Sequence, residues 1–346
     1  MDFDKIISDL KNKVYHPVYF LMGEEPYFID AVSDHIEKNV LGEAEKEFNQ
    51  TVVYGGETNS MAVISAAKRY PMMSNYQVVI VKEAQNMRNL TPSPKTEGND
   101  SKKSPFELYL ENPQKTTILV FCHKYKTIDM RTTFAKSLSK HAVVLKSDKM
   151  YDNKVPIWVE NLIRSKGYSI EPRATQLLTE FLGNDLNKIA MEVEKLMINL
   201  PPQTQITTDH IQQYIGISKE YNNFELQAAI GKRDALKANR IINYFSSNPK
   251  DNPLVMTIAL LAGYFSKVLM YHYLPDKSQN NNVASALKVN PFFVKDYTLA
   301  AGNYPPQKTM DVISLLRQYD LRSKGFDGNS TDEGELLKEL VFRIIH

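Results

Sequence analysis

Residues 17–30 read PVYFLMGEEPYFID: an apolar run rich in β-branched and aromatic side chains, a glycine, two carboxylates, and a proline that opens an amphipathic stretch continuing to about Asn39. A short apolar run closed by glycine is the signature of a strand buried on both faces, and a proline just inside the following stretch marks a helix N-terminus. Outward from this strand-turn-helix unit the same alternation recurs. QTVVYGG (50–56) precedes a helical stretch near Met61–Arg69, QVVIVKE (77–83) follows it, and TTILVF (116–121) and AVVLK (142–146) flank a helical stretch over Arg131–Ser139. Strands of this kind alternating with helices predict a mostly parallel sheet covered on both faces, an α/β domain. The Pro-, Ser-, Lys- and Gly-bearing stretch Arg88–Ser104 interrupts the pattern and reads as a surface loop with no assigned role.

After about Ser147 the strand signal stops. Pro172 opens RATQLLTEFL, Gly183 closes it, and Asn184 or Asp185 is placed to cap the next helix, where Leu186, Ile189, Val193, Leu196 and Met197 recur on one face. Thr208 is placed to cap a helix carrying Ile211, Tyr214 and Ile215, and helical sequence then runs to His346. With 346 residues the chain has room for two or three domains. The expected division is 1–147, 148–213 and 214–346, one α/β domain followed by two helical ones.

Hydrophobic residues make up 42% and charged residues 24%, the balance of a folded globular chain rather than a disordered or fibrous one. The net charge of +2 is uninformative until its distribution is considered. Met1–Met87 carries 8 basic and 13 acidic residues, whereas Lys115–Lys154 carries 9 basic and 3 acidic ones. The second stretch is either an electrostatic footprint for phosphate or a solvated basic face that balances the acidic N-terminal part. A single cysteine, Cys122, excludes an internal disulfide and any CxxC site, which fits a reducing compartment and a cytoplasmic location. The N-terminus MDFDKII is acidic and lacks the apolar core of a signal peptide. The most apolar stretch, Leu254–Leu274, is broken by Lys267 and His272; its uncharged run of 13 residues predicts a buried helix rather than a membrane span.

An α/β domain ahead of a helical one raises the question of nucleotide hydrolysis, so the first strand-to-helix turn is decisive. A phosphate loop, GxxxxGK[ST], needs a second glycine to free backbone amides, a lysine for the β and γ phosphates, and a hydroxyl for magnesium. Counted from Gly23, those positions hold Phe28, Ile29 and Asp30, while Glu24 and Glu25 add negative charge inside the turn. Lys82 ahead of Glu83 likewise compromises a metal-holding carboxylate pair after the VVIVK strand. The seven histidines are scattered without metal-ligand spacing, no GxSxG elbow occurs, and Cys122 lies in an apolar strand where a buried, inert thiol is expected. The expectation is no catalytic site, no cofactor and no metal.

Four segments, PVYFLMGEEPYFID, YPMMSNYQVVIVKEAQ (70–85), FLGNDLNKIAMEVEKL (181–196) and YNNFELQAAIGKRDALKA (221–238), taken in this order and spacing, resemble the delta-subunit family of the bacterial DNA polymerase III clamp loader over nearly the whole chain. The resemblance implies an N-terminal domain of the clamp-loader ATPase (AAA+-like) fold with a degenerate nucleotide site, a small helical lid domain, and a C-terminal all-α collar domain for assembly with the other clamp-loader subunits. It implies a non-catalytic subunit of the polymerase III holoenzyme that binds and opens the sliding clamp for loading onto primed DNA. In this family a hydrophobic pair at a helix end enters a pocket on the clamp. The matching positions here are Met72 and Met73 after Pro71, a departure from the more usual leucine or phenylalanine pair. On the residues alone Met72 and Met73 read as core methionines capping the sheet before QVVIVK, and Tyr70 and Tyr76 fit either the clamp contact or internal packing. Pro71 disfavours helix at Tyr70, so the preceding helix is expected to stop near there. The basic positions Lys124, Lys126, Arg131, Lys136 and Lys140 are candidates for proximity to DNA within the assembly. The competing readings are an active P-loop-type ATPase subunit with a divergent nucleotide site, and a helical scaffold that binds nucleic acid through residues 115–154. No membrane partner is expected.

Overall fold

The computed structural model describes residues 1–90, 104–218, 220–326 and 332–346, so most of the 88–104 stretch read as a loop lies outside the described residues. Two compact units emerge, Met1–Tyr151 and Asp152–His346.

In the first unit the chain runs α1 (Phe3–Lys11), β1 (Val18–Gly23), α2 (Pro26–Asn39), α3 (Glu43–Asn49), β2 (Gln50–Tyr54), α4 (Ser60–Ala67), β3 (Gln77–Lys82), α5 (Pro105–Glu111), β4 (Thr117–Lys124), α6 (Thr133–His141) and β5 (Val143–Ser147). The strands form one sheet in the order β2-β3-β4-β1-β5, every neighbouring pair parallel. The central strands read as unbroken apolar runs because both faces are covered. Val18, Phe20 and Met22 of β1 point into a core with Val63 of α4, Phe106 of α5 and Phe134 of α6. The intervening Tyr19 and Leu21 point the other way, onto Ile6 and Leu10 of α1 and Ile29, Val32 and Ile36 of α2. Helix starts follow local chemistry. Glu25 and Pro26 open α2, Asn59 caps α4, Ser104 and Glu107 form a capping box ahead of α5, and Thr132 caps α6. The helix expected over Arg131–Ser139 therefore begins two residues later, because Asp129 and Arg131 build the turn that precedes the Thr132 cap.

The second unit carries α7 (Val155–Ser165), β6 (Ser169–Ile170), α8 (Pro172–Leu182), α9 (Leu186–Ile198), β7 (Gln205–Ile206), α10 (Thr208–Ile215), α11 (Asn223–Gly231), α12 (Ala235–Ser247), α13 (Leu254–His272), α14 (Asn280–Leu287), α15 (Val294–Asn303), α16 (Pro306–Ser323) and α17 (Glu333–Ile345). As expected, Pro172 opens α8, Gly183 ends it in the left-handed region at φ 70°, and Asp185 caps α9. Leu186, Ile189, Val193 and Leu196 are buried, with Met197 at the edge of that face. Two expectations are corrected. Thr207, not Thr208, caps α10, its hydroxyl accepting from the His210 amide while the His210 ring accepts from the Thr207 amide. The parallel two-residue strands β6 and β7 occur where no strand was read, being too short to carry a periodicity. One apolar core extends from α11 to α17, and α13 buries Leu254, Ile258, Leu261, Phe265 and Val268 within it. By length and composition alone α13 would pass for a membrane span, yet this face is that core's own packing surface.

Candidate functional site

The segment between α4 and β3 is fixed at both ends and exposed in the middle. Helix α4 stops at Ala67, and side chains from elsewhere in the unit take up its last carbonyls. Gln77 Nε2 donates to the Ala66 carbonyl at 3.1 Å, and the Tyr109 hydroxyl donates to that of Ala67 at 3.4 Å. At the far end Tyr76 packs edge-on against Tyr15, ring centroids 5.3 Å apart, and joins the core on that face of the sheet. Tyr76 is thus an internal packing residue, whereas Tyr70 is exposed. Between them Met72 is 62% exposed and Met73 fully so. Neither methionine caps the sheet.

The middle of the loop hangs on one buried side chain. Asn49, the last residue of α3, is 2% exposed. Its Oδ1 accepts from the Met72 amide at 2.6 Å, and its Nδ2 donates to the Met72 carbonyl at 2.9 Å and to the Glu45 carbonyl at 3.1 Å. A carboxamide pairing with both polar groups of one residue imitates a rung of β-ladder. The next residue, Met73, sits at φ 52°, a left-handed conformation that disfavours a side chain and so persists only where its surroundings impose it. Glu45 secures the start of α3: the Gly42 amide donates to its carboxylate at 2.7 Å, the largest cause of a pKa held below the usual range. Sequence reasoning did not single out Asn49, since it belongs to no motif and its partner Met72 lies 23 positions along the chain.

The opposite end of the same sheet holds the turn where a phosphate loop would be. Gly23 has φ +142°, and a Cβ there would lie 1.9 Å from the Ser147 carbonyl oxygen. That oxygen accepts from the amides of Glu24 (2.8 Å) and Glu25 (3.3 Å), and the Ser147 hydroxyl donates to the Glu25 carbonyl at 2.6 Å. Amides that would cradle a phosphate in a working loop are therefore already occupied by the end of β5. Glu25 is buried as the α2 cap, its Oε1 accepting from the Tyr27 amide.

Lys124 lies beside this turn, its ammonium 2.8 Å from Asp30 and 3.4 Å from Glu83. Burial works against the charged form, but the two carboxylates more than offset it and raise the pKa. Lys82 behaves alike, burial being outweighed by Glu37 at 2.9 Å. Among the other basic positions, Arg131 is exposed but engaged by Asp129, whose carboxyl that guanidinium and the Arg131 amide hold down to about 2. Lys126 lies exposed in the turn after β4, and Lys136 and Lys140 lie exposed one helical turn apart on α6. Lys124 is thus committed within the fold, Arg131 is paired at the surface, and the other three face solvent. Cys122 is buried in β4, and burial pushes its thiol up to about 11, leaving it protonated and inert. Among the described residues no group of His, Cys, Asp and Glu is arranged to hold a metal ion.

Comparison with known proteins agrees with this architecture. The family model for the delta subunit of DNA polymerase III matches residues 19–148, and the model for the C-terminal domain of that same subunit matches residues 220–340. DNA polymerase III subunit delta of Bacillus subtilis (strain 168) is 28% identical over 325 residues, spanning 94% of this chain and 92% of that protein. A probable DNA polymerase III subunit delta of Aquifex aeolicus (strain VF5) is 22% identical over 272 residues, spanning 77% and 74% respectively. The solved structure of the Bacillus subtilis DNA clamp loader delta protein superposes with a TM-score of 0.55 at 25% identity, covering 99% of each chain.

Proposed function

Because the chain belongs to the delta-subunit family of DNA polymerase III and so is a clamp-loader subunit, we propose that it binds the sliding clamp through Met72 and Met73 and opens it for loading onto primed DNA. The observation that carries this reading is the exposure of two adjacent methionines on a loop whose ends are anchored in the core. Burying each in an apolar pocket contributes roughly 1.5–3 kcal/mol before the entropy of association is subtracted. Methionine is unbranched and polarizable, so the pair fits an irregular pocket where a stiffer side chain would not. Opening follows from differential affinity: a subunit that grips the open ring more tightly than the closed one shifts the ring toward opening by that difference and no more.

The turn at Gly23 supports a subunit that takes no direct part in nucleotide hydrolysis, since the Ser147 carbonyl holds its amides. We assign residues 148–213 to a lid and 214–346 to a collar through which the other clamp-loader subunits dock. DNA in the assembly is approached by Lys126, Lys136 and Lys140 rather than by Lys124, whose charge is taken up within the fold, or Arg131, which is paired with Asp129 at the surface. Reversing the three exposed lysines is expected to lower loader affinity for primed DNA and to flatten its salt dependence; an unchanged salt slope would remove them from the interface.

The deciding test of the clamp reading is surface plasmon resonance of the purified chain on the sliding clamp of the same organism. Wild type is compared with a Met72→Ala, Met73→Ala double variant shown by circular dichroism to be folded. Binding by wild type and its loss in the variant is the expected result. Equal binding by both would move the anchor elsewhere, and no binding by either at micromolar concentration would sink the clamp-opening role.

A further inference from the structure

We propose that Asn49 is a positioning residue for the apolar pair, holding the Met72–Met73 loop in its binding conformation before any partner arrives; this rests on the clamp-binding reading above. The loop has an unusual problem to solve. An exposed turn with two large apolar side chains would fold back onto the sheet edge if it were free to do so, because burial of each methionine is favourable. Met73 stands fully outward instead, with its backbone in the left-handed region. Something must hold it there.

The neighbouring backbone groups identify the restraint. Both main-chain polar groups of Met72 are taken by Asn49. Asn49 is itself buried and tied to its own helix through the Glu45 carbonyl, so it is a rigid anchor rather than a swinging side chain. Asn49 thereby brackets Met72 through both of its backbone polar groups, directly before Met73. The side chain that makes these hydrogen bonds is shielded from water, which strengthens the restraint.

A pair held in place binds without first having to be ordered. If the competent conformer makes up only a fraction of the population, the apparent dissociation constant rises by the reciprocal of that fraction. Removing the bracket is expected to reduce the held conformer to roughly a tenth, and so to weaken clamp binding about tenfold although no clamp-contacting atom has changed.

Two measurements on the full chain separate this proposal from the clamp reading. The first is amide hydrogen exchange without any clamp, comparing wild type with Asn49→Ala. The Met72 amide is expected to exchange slowly in wild type and at least about tenfold faster in the variant. Asn49→Asp, which keeps the acceptor for that amide but sets a carboxylate oxygen against the Met72 and Glu45 carbonyls, is expected to restore its protection only in part. If Asn49→Ala lowers the melting temperature of the chain, Asn49→Ser serves instead, its hydroxyl being too short to bridge both groups. The second is clamp affinity of the same variants by surface plasmon resonance. Unchanged exchange at Met72 would overturn the bracket whether or not the clamp is bound. Faster exchange with undiminished affinity, in a chain whose wild type does bind, would overturn its role in positioning. Failure of wild type to bind the clamp would refute the clamp reading alone, and with it the partner assigned to the bracketed pair.

Discussion

The two ends of the parallel sheet in the first unit present opposite solutions to the same backbone problem. At the carboxyl ends of the strands, where open α/β sheets form their ligand crevices, the polar groups around Gly23 are met from within: the Glu24 and Glu25 amides by Ser147, the Lys124 ammonium by Asp30 and Glu83. At the amino ends, the loop before β3 has its backbone clasped by Asn49 while its apolar side chains face water. One end has polar groups that already hold one another; the other has apolar side chains that face water. The turn where a phosphate loop would lie is closed from within, and apolar side chains are exposed at the far side, the arrangement that the proposed clamp-binding role calls for.

The largest effect is expected from forcing the closed end open. Gly23→Ala places a methyl group against the Ser147 carbonyl on a backbone that already needs glycine, so β5 must separate from the turn. A loss of about 4 kcal/mol or more is expected, the range reached only by severe steric or backbone conflicts. Gly56 has no neighbour within 4 Å of its Cβ position, and Gly56→Ala is expected to stay within about 0.5 kcal/mol of wild type. Denaturant unfolding of both variants measures the contrast; similar stabilities would mean that the turn is not closed by Ser147. At the end with the exposed methionines the expected result is the reverse. Met72→Ala with Met73→Ala should leave the melting temperature unmoved while clamp affinity falls about 100-fold, equivalent to roughly 2.7 kcal/mol. A change in stability without a change in affinity would recast the pair as packing residues.

The closed end was legible in outline because its signal is local. Gly23, Glu24 and Glu25 and the residues Phe28, Ile29 and Asp30 at the phosphate-loop positions stand within one octet, and the strands β1, β3 and β4 announce themselves as apolar runs because helices cover both faces. What closes that end was not legible: Ser147 lies 122 residues from Glu25. The same holds at the other end. Met72 and Met73 stand before a strand just as core methionines do, and only the family resemblance drew attention to them. Their bracket, Asn49, ends a helix of sequence EAEKEFN, which has no apolar stripe to predict it and whose contact with Met72 spans 23 positions. Lys124 shows the converse error: a lysine in a basic stretch reads as a phosphate ligand until the fold delivers Asp30 and Glu83 to it.

The rule that the closed end satisfies its buried polar groups is sharpened by a place in the second unit where it fails. The Glu180 carboxylate on α8 is buried with neither oxygen hydrogen-bonded. Burial pushes its pKa from the ordinary 4.5 up to about 8, and the Asn223 side chain lies near enough to oppose this without completing a hydrogen bond. A raised carboxyl pKa favours the folded state while the group is neutral. Its contribution is full below pH 4.5 and is lost as pH rises from there through about 8. Glu180→Gln fixes the neutral form and is expected to stabilise the chain by about 2 kcal/mol at alkaline pH, the gain shrinking as pH is lowered. Melting curves across that range measure it, and a pH-independent effect would mean that Glu180 finds a partner in solution.

The smallest expected effect discriminates most finely between the two ends, because it concerns a charge that either serves the fold or serves a partner. Lys124→Met removes the ammonium between Asp30 and Glu83 and leaves the two carboxylates without it, a change expected to cost about 1 kcal/mol for a partly solvated pair. The raised pKa gives the sign of the pH dependence. The advantage of wild type over the variant is complete below the ordinary lysine value of 10.5 and disappears only as pH climbs through the higher folded-state value. Near neutrality the loss is therefore flat with pH. Lys126→Met, two residues on and exposed, should leave stability within about 0.5 kcal/mol of wild type and instead reduce loader affinity for primed DNA. If Lys124→Met proved neutral for stability yet weakened DNA binding, its charge would belong to the outward-facing set, and the closed end of the sheet would be open to phosphate after all.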